Sequence, residues 1–456
     1  MARDQIDMRP IETRDELVAW LAAGCKPKSQ FRIGTEHEKF AFAVGRHEPV
    51  PYSGPRGIRA LLDGMQMLLG WDPIMEEGNI IGMVDVTGGG AISLEPGGQF
   101  ELSGAPVETV HQMCRELRAH LAQVHEVAEP LGIGFLGIGM TPKWTRAEMP
   151  MMPKGRYRIM TNYMPKVGTL GIDMMYRTCT VQTNLDFSSE ADMVKKLRVS
   201  LALQPVGTAL FANSPFTEGK PNGFLSFRSE IWRHTDPART GMLPWAFEPG
   251  MGFERWVDYA LDVPMYFIKR GERYIDVAGQ SFRDLMTGKL PALPGERATI
   301  SDWANHLTTI FPEVRLKRYL EMRGSDSGPA RRLPALPAYW TGILYDDASL
   351  DAAWELVKDW TAQERQKLRD EVPKLGFKAE IRGRTVRDLA KETLALARAG
   401  LVRRARKDGE GRDETQYLAP LEELVARGTT PAEELLEKFH GSWRGSVEPV
   451  FTEYAY

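Results

Sequence analysis

The sequence has few cysteines, no long apolar run and almost no net charge, and each shortage excludes a class of protein. Its three cysteines, Cys25, Cys114 and Cys179, do not have the spacing of a metal-binding motif. No apolar run approaches the ~20 residues needed to cross a membrane. With 58 basic and 61 acidic residues, the chain lacks the basic surplus of a nucleic-acid-binding protein. We therefore expect that it binds neither nucleic acid nor membrane.

The composition is that of an ordinary soluble protein, with 43% hydrophobic and 26% charged residues in a chain of 456. The N-terminal stretch lacks the charged and then apolar layout of a secretory signal peptide. Together with the few cysteines, this predicts a cytoplasmic protein whose buried thiols stay reduced. The sequence does not determine the oligomeric state, and we expect a monomer or a homodimer.

Two stretches, residues 32–42 (RIGTEHEKFAF) and 93–104 (SLEPGGQFELSG), alternate polar and apolar residues as β-strands do. Taken as one strand each, they carry acids and a carboxamide on their polar faces: Glu36 and Glu38, then Glu95, Gln99 and Glu101. Carboxylates two residues apart on a strand lie ~7 Å apart and repel by ~2 kcal/mol at an effective dielectric of ~20. On separate, solvated strands these acids would be ordinary surface residues. On neighbouring strands they would take up protons or bind a hard cation such as Mg²⁺.

Two further polar strands are predicted at residues 178–187 and 314–324. Gln182, Glu321 and Arg323 are candidates on these two strands, and Arg228 is a candidate in a strand or loop after a turn. The basic segment at 153–168 suits either an anion site or plain surface, and its candidates are Lys154, Arg156 and Lys166.

Helical patterns separate the strands in no regular β–α–β rhythm, which favours an α+β fold with a curved, largely antiparallel sheet packed by helices. We expect one domain over residues 1–456, with residues 345–456 forming a helical C-terminal segment packed on it. An acid-lined sheet with arginines at its rim suits Mg²⁺ and a polyphosphate. Carboxylates hold the metal, and arginine offsets the charge that develops on a transferred phosphoryl group.

Long motifs resemble those of the plant-type glutamate–cysteine ligases, a group that also occurs in proteobacteria. They run from about residue 10 to residue 456: RIGTEHEKF, SLEPGGQFELSGAP, FLGIGMTPKW, MPKGRYRIM, NYMPKVG, RTCTVQTNLDFSSEADM, LFANSPFTEGKPNGFLSFRS, HLTTIFPEVRLKRYLEMRG and GILYDD. The resemblance implies a glutamine-synthetase-like fold, in which the curved sheet forms a funnel and helices lie outside it. It also implies an ATP-dependent enzyme that joins the γ-carboxylate of L-glutamate to the amine of L-cysteine through a γ-glutamyl phosphate. This reaction is the first step of glutathione synthesis.

The same resemblance implies roles for individual residues. Two or more Mg²⁺ ions, or Mn²⁺ in their place, would be held by the following side chains: Glu36, Glu38, Glu95, Glu101, Gln182 and Glu321. Gln182 occupies a position where distant relatives have a histidine ligand, and its amide oxygen is a weaker ligand. Substrate or ATP would be bound by a second set, whose last two members would also act catalytically: Gln99, Lys154, Arg156, Lys166, Arg228 and Arg323.

The chain departs from the plant members at their two regulatory disulfides. It keeps one of the four cysteines, Cys114, and has Pro334, Val277 and Ala292 at the other three positions. We therefore expect no redox control through these disulfides.

Three other functions remain open from the sequence. The same phosphorylation chemistry with another amine acceptor is the closest, because no motif independently indicates a thiol pocket. A non-catalytic protein on this scaffold would be expected to have lost acids that are all present here. A nucleic-acid-binding protein is disfavoured by the charge balance.

Overall fold

The computed structural model describes residues 7–456, so the first six residues of the predicted domain lie outside the described part. The helices, in chain order, are α1 Arg14–Ala22, α2 Ile58–Leu69, α3 Val110–Leu131, α4 Gly155–Val167, α5 Gly171–Arg177, α6 Glu190–Leu210, α7 Phe227–Arg233, α8 Phe253–Asp262, α9 Phe282–Met286, α10 Ile300–Leu307, α11 Ala335–Leu344, α12 Asp347–Val357, α13 Ala362–Leu375, α14 Val386–Arg404, α15 Ala419–Arg427, α16 Pro431–His440 and α17 Val450–Glu453. The strands are β1 Ile33–Ala43, β2 Asp72–Glu76, β3 Asn79–Val84, β4 Ala91–Leu94, β5 Phe100–Ser103, β6 Ile133–Leu136, β7 Thr180–Leu185, β8 Phe216–Thr217, β9 Lys220–Pro221, β10 Thr240–Gly241, β11 Phe267–Arg270, β12 Arg273–Asp276, β13 Phe311–Pro312, β14 Val314–Leu316, β15 Leu320–Asp326, β16 Glu380–Ile381 and β17 Arg384–Thr385.

One large antiparallel sheet organises the described residues. Its strands follow the order β14-β15-β7-β1-β5-β4-β3-β2, and β6 pairs with the end of β1. The four strands predicted to carry polar faces are therefore neighbours, because β15, β7, β1 and β5 are consecutive. Helices pack around this sheet, which confirms the predicted α+β fold class.

The helical layer is closely packed against the sheet. Helix α6 is buried along most of its length and contacts β15. Helices α11 and α14 approach so closely that a Cβ on Gly400 would overlap the carbonyl oxygen of Gly342. From Asp347 onward the chain is mostly helical. The single-domain organisation stays a prediction.

The prediction of one strand over residues 93–104 is wrong. Strands β4 and β5 form a hairpin, with Ser93 opposite Glu101, and the chain reverses between Glu95 and Gln99. The turn is closed by hydrogen bonds from the Gly98 N–H to the Glu95 carbonyl and from the Glu95 N–H to the Gln99 carbonyl, both 2.9 Å. Gly98 has φ of 84°, which glycine adopts without the steric cost of a side chain. The polar-apolar alternation continued across this turn and concealed it.

Two other sequence predictions also change. Residues 314–324 form the hairpin of β14 and β15 rather than one strand, and the Lys317 N–H donates to the Tyr319 carbonyl at its turn (2.8 Å). Arg228, predicted in a strand or loop, lies in the first turn of α7. Ser226 caps that helix by accepting the Ser229 N–H. Within residues 7–456, none of the helices is both long and apolar enough to span a membrane.

Candidate active site

The strand register brings the predicted acids onto one face of the sheet. On β1, Glu36 lies opposite Gln182 of β7, and Glu38 lies opposite Glu101 of β5. Directly opposed residues of antiparallel strands share a face, with Cβ atoms about 5 Å apart. Glu95, at the start of the β4–β5 turn, joins this group. These five side chains line one cleft with about 900 Å³ of empty space.

Glu38 and Glu95 are the most crowded carboxylates in this cleft. Burial and then the charges of Glu95 and Glu101 hold the pKa of Glu38 well above its usual range. Burial and then Glu101 raise the pKa of Glu95. Glu38 accepts a hydrogen bond from the Thr180 N–H at 2.9 Å, which fixes one of its oxygens. Crowded, desolvated carboxylates of this kind take up either protons or cations.

The donor set fits Mg²⁺, because it consists of carboxylate oxygens with one amide oxygen. Within residues 7–456, no group of three or more His, Cys, Asp or Glu side chains is arranged so that it could hold a metal ion. Mg²⁺ commonly keeps several waters and binds through one or two carboxylates, so an all-protein cage is not required.

Glu321 is not brought together with the other acids. It is fully buried and does not line the cleft. Its oxygens pair with Arg315, with Lys317 at 2.7 Å and with Arg323 at 3.7 Å. Burial alone would raise the pKa of Glu321, but these three cations hold it well below its usual range. Its oxygens are thus already occupied, which leaves the predicted ligand role without support from this geometry.

Gln99 lines the cleft, but its carboxamide is used to build the β4–β5 turn. Its Oε1 accepts the Gly97 N–H at 2.8 Å. Its Nε2 donates to the carbonyls of Met175 (3.1 Å) and Thr178 (2.9 Å). Gln99 therefore fixes the turn that carries Glu95, rather than leaving its polar atoms free for a substrate.

Two of the arginines that line the cleft, Arg228 and Arg323, contact each other. Arg323, on β15, donates from Nη1 to the Gln182 Oε1 at 2.5 Å. Arg228 is 2% exposed, and its Nη2 donates to the Arg323 carbonyl at 3.2 Å. The contact between Arg323 and Gln182 explains why the amide of Gln182 points into the cleft.

Buried Asp326 holds the chain around Arg228. Its Oδ2 accepts the Asn213 N–H at 2.8 Å and the Ser214 hydroxyl at 2.7 Å, and its Oδ1 accepts the Ser226 hydroxyl at 2.9 Å. Ser214 Oγ in turn accepts the Arg228 N–H at 3.1 Å. The sequence motif that contains Ser214 did not indicate that Asp326 positions Arg228, because Asp326 lies more than 100 positions further along the chain.

The three basic candidates of residues 153–168 separate in the structure. Arg156 lines the cleft, and its guanidinium lies 5.0 Å from the centre of the Tyr157 ring. Lys154 does not line the cleft, and its Nζ donates to the Leu94 carbonyl at 2.7 Å. Burial and then the charge of Arg156 lower the pKa of Lys154 to about 8. Lys166 is exposed near the far end of α4, about 15 Å along the helix from Arg156. The structure does not bring Lys166 to the cleft.

A second, larger cavity with about 1630 Å³ of empty space adjoins the cleft, and Glu36, Arg156 and Thr308 line both. Sequence reasoning missed the residues that shape these two cavities. In the cleft they are the apolar and hydroxyl side chains of Met175, Trp232, Thr308 and Phe311. In the larger cavity they include the basic side chains of Lys317 and Arg318. A signal for the basic ones was present, because Arg315, Lys317, Arg318 and Arg323 of VRLKRYLEMRG all lie within six residues of Glu321.

Comparisons with known proteins identify the family to which the chain is similar. The model of glutamate–cysteine ligase family 2 matches residues 32–453. The chloroplastic glutamate–cysteine ligase of Arabidopsis thaliana is 60% identical over 97% of this chain and 83% of its own length. The chloroplastic glutamate–cysteine ligase B of Oryza sativa subsp. japonica is 57% identical over 99% of this chain and 89% of its own length. The crystal structure of glutamate–cysteine ligase from Francisella tularensis in complex with AMP superposes with a TM-score of 0.56 at 12% identity, covering 93% of this chain and 89% of that one, which shows a shared fold.

These relatives correct one prediction and confirm another. The predicted cytoplasmic location is wrong on this comparison, because the relatives that align over nearly the whole chain are named chloroplastic. The predicted enzyme, an ATP-dependent ligase of glutamate and cysteine for the first step of glutathione synthesis, is confirmed. The chain belongs to glutamate–cysteine ligase family 2.

Proposed function

We propose that the acid-lined cleft is where the γ-carboxylate of glutamate is phosphorylated by ATP and then attacked by the amine of cysteine. The observation that carries this proposal is the juxtaposition of four carboxylates with Arg156, Arg228 and Arg323 around one cleft. Acids of this density suit a hard cation, and arginines facing them suit the anions that the cation brings.

The two adjoining cavities suit two substrates that react where they meet. We propose that ATP occupies the larger cavity, with its phosphates toward Glu36 and Arg156, and that the amino acids occupy the cleft. Both residues line both cavities, so a phosphoryl group passing between substrates would stay in contact with them.

Bound Mg²⁺, or Mn²⁺ in its place, would be held by Glu36, Glu38, Glu95 and Glu101 and would offset phosphate charge. The rest of the chemistry belongs to the substrates. The γ-carboxylate attacks the γ-phosphorus of ATP, which gives γ-glutamyl phosphate and ADP. The amine of cysteine then attacks the acyl carbon, phosphate leaves and the amine loses a proton.

The protein residues contribute position and charge to these steps. Arg228 and Arg323 would offset the negative charge that builds up on the transferred phosphoryl group, and the burial of Arg228 would strengthen its interaction. Gln99 keeps the Glu95 turn in place, and Asp326 keeps Arg228 in place. Since no covalent intermediate with the protein is needed, the cleft does not require a nucleophilic side chain.

The test measures ADP release from ATP in the presence of glutamate and Mg²⁺, with cysteine added or withheld. We expect cysteine to accelerate release strongly and γ-glutamylcysteine to accumulate. Glu38→Gln should abolish both, although its amide oxygen can still accept the Thr180 N–H. The matched control is Glu116→Gln, which alters a glutamate outside the cleft that also accepts one backbone N–H, that of Ala105.

Each outcome separates parts of the proposal. Turnover that ignores cysteine but rises with another amine would retain the phosphorylation chemistry and reject cysteine as the acceptor. Equal activity of the Glu38→Gln and Glu116→Gln variants would reject the metal role of the acids. Sedimentation velocity tests the remaining expectation, that the enzyme is a monomer or a homodimer.

A further inference from the structure

A narrow slot opens from the cleft beneath its two arginines. It has about 310 Å³ of empty space, and Arg228, Trp232, Phe311 and Arg323 line both the slot and the cleft. Glu313 and Arg369, a residue of α13, also line the slot. The slot therefore joins the substrate cleft to the C-terminal helical segment.

Hydrogen bonds fix the Arg369 side chain at the slot. Arg369 Nε donates to Glu313 Oε1 at 2.8 Å, and Arg369 Nη2 donates to the Ser229 carbonyl at 3.0 Å. Gly324 keeps the space open, since a Cβ there would lie 2.7 Å from Glu313 Oε2. The position of the Arg369 guanidinium is thus set by two elements at once, α7 and the loop before β14.

Three guanidinium nitrogens of slot-lining arginines have no hydrogen-bond partner among residues 7–456. Arg228 is 2% exposed and Arg369 is 5% exposed. Nε and Nη1 of Arg228 and Nη1 of Arg369 are buried, and no described residue accepts a hydrogen bond from them. An unpaired buried donor on a charged group is costly, so this arrangement favours an anionic acceptor.

The chemistry of the slot lining favours a carboxylate. Two guanidinium groups match the two oxygens of a planar carboxylate, and the aromatic side chains of Trp232 and Phe311 line the same slot. Glu36, Glu38, Glu95 and Glu101 do not line the slot. Phosphate groups bound through metal ions at those acids would therefore stay in the cleft.

We propose that this slot binds the α-carboxylate of one amino-acid substrate, and that Arg369 of the C-terminal segment is thereby a substrate-binding residue. The assignment rests on the function proposed above. The carboxylate has two sources, glutamate and cysteine, and the experiment distinguishes them.

The experiment compares the wild-type enzyme with Arg369→Lys, which keeps a charge near Glu313 but loses the bidentate geometry. A second variant, Glu313→Gln/Arg369→Gln, removes both charges together, so that neither is left buried alone. The matched control is Arg332→Lys, which alters another buried arginine that pairs with a carboxylate, Glu434, at 2.5 Å and also has unpartnered nitrogens. Arg332 does not line the cleft, the slot or the larger cavity.

Steady-state constants are measured for ATP, glutamate and cysteine, and for two analogues that lack the α-carboxylate. Cysteamine replaces cysteine, and 4-aminobutyrate replaces glutamate. In both Arg369 variants we expect kcat/KM to fall about ten-fold or more for the substrate whose carboxylate enters the slot. The analogue of that substrate should be used as well by the variants as by the wild-type enzyme, and the KM for ATP should not change.

An unaffected cysteamine reaction would assign the slot to cysteine, and an unaffected 4-aminobutyrate reaction would assign it to glutamate. The inference is overturned if Arg369→Lys behaves like Arg332→Lys, or if natural substrates and analogues lose activity equally. A wild-type enzyme that fails to join glutamate to cysteine would instead reject the proposed function itself.

Discussion

Replacing Glu38 with Gln should stabilise the metal-free protein while it abolishes activity. Glu38 and Glu101 are directly opposed on β1 and β5, so their charges lie about 6 Å apart. At an effective dielectric of ~20, that pair repels by ~3 kcal/mol. Glutamine removes the charge and can keep the hydrogen bond from Thr180, so the repulsion is lost without loss of that contact.

The gain in stability of Glu38→Gln over the wild-type protein should increase with pH. Because the pKa of Glu38 is raised in the folded protein, the folded state binds more protons than the unfolded state, whose glutamates titrate near ~4.3. The contribution of Glu38 to stability is therefore present below the unfolded pKa and is lost as pH rises through the folded pKa. The difference between Glu38→Gln and the wild-type protein should thus be small at acidic pH and approach ~3 kcal/mol at alkaline pH.

The assay is urea unfolding at acidic and at alkaline pH, in EDTA and in saturating Mg²⁺. Mg²⁺ should stabilise the wild-type protein at alkaline pH more than it stabilises Glu38→Gln, because the cation offsets the repulsion that the variant already lacks. Glu116→Gln should respond to Mg²⁺ as the wild-type protein does. A Glu38→Gln protein that is less stable than the wild type in EDTA at alkaline pH would refute the argument.

Three further predictions follow from other parts of the structure. Asp326 accepts hydrogen bonds from three donors with two oxygens, and Asp326→Asn leaves only one of those oxygens. We expect kcat/KM to fall about ten-fold or more because Arg228 is displaced. Unaltered kinetics would reject this positioning role of Asp326. Gly400→Ala should lower the free energy of unfolding by about 1–3 kcal/mol, because its Cβ meets the Gly342 carbonyl where α11 and α14 cross, and urea unfolding measures this. Adding a reductant should leave the activity unchanged, because Cys25, Cys114 and Cys179 are all free thiols. A large loss of activity in the reductant would contradict this prediction.

Strand alternation predicted the acid face because it is a local property with a period of two residues. Strand β1 was predicted at 32–42 and lies at Ile33–Ala43, and β7 was predicted at 178–187 and lies at Thr180–Leu185. In both, alternation identified the correct face. It did not show which strands are neighbours, because register depends on contacts between residues far apart in the chain.

The errors occurred where alternation was preserved across a chain reversal. Pro96, Gly97 and Gly98 are turn residues, yet the flanking glutamates kept the two-residue period, so the β4–β5 hairpin was taken for one strand. The reversal at Lys317–Tyr319 was concealed in the same way. Missing the second hairpin also led to a wrong expectation for the surroundings of Glu321. Its hairpin brings Arg315 and Lys317 from the same stretch onto its oxygens, and a linear pattern does not represent that pairing.

Acids on the strands and arginines on the helices bring distant parts of the chain together at this site. The acids of β1 and β5 are fixed at strand spacing, so they cannot move apart to relieve their repulsion. Much of the opposing positive charge comes from helices, with Arg156 on α4, Arg228 on α7 and Arg369 on α13. Each arginine reaches the cleft or its slot only when its helix is packed on the sheet. The arginine side of the cleft therefore depends on helix packing, and on the proposal that Arg369 binds substrate the C-terminal segment takes part in substrate recognition as well as in the fold.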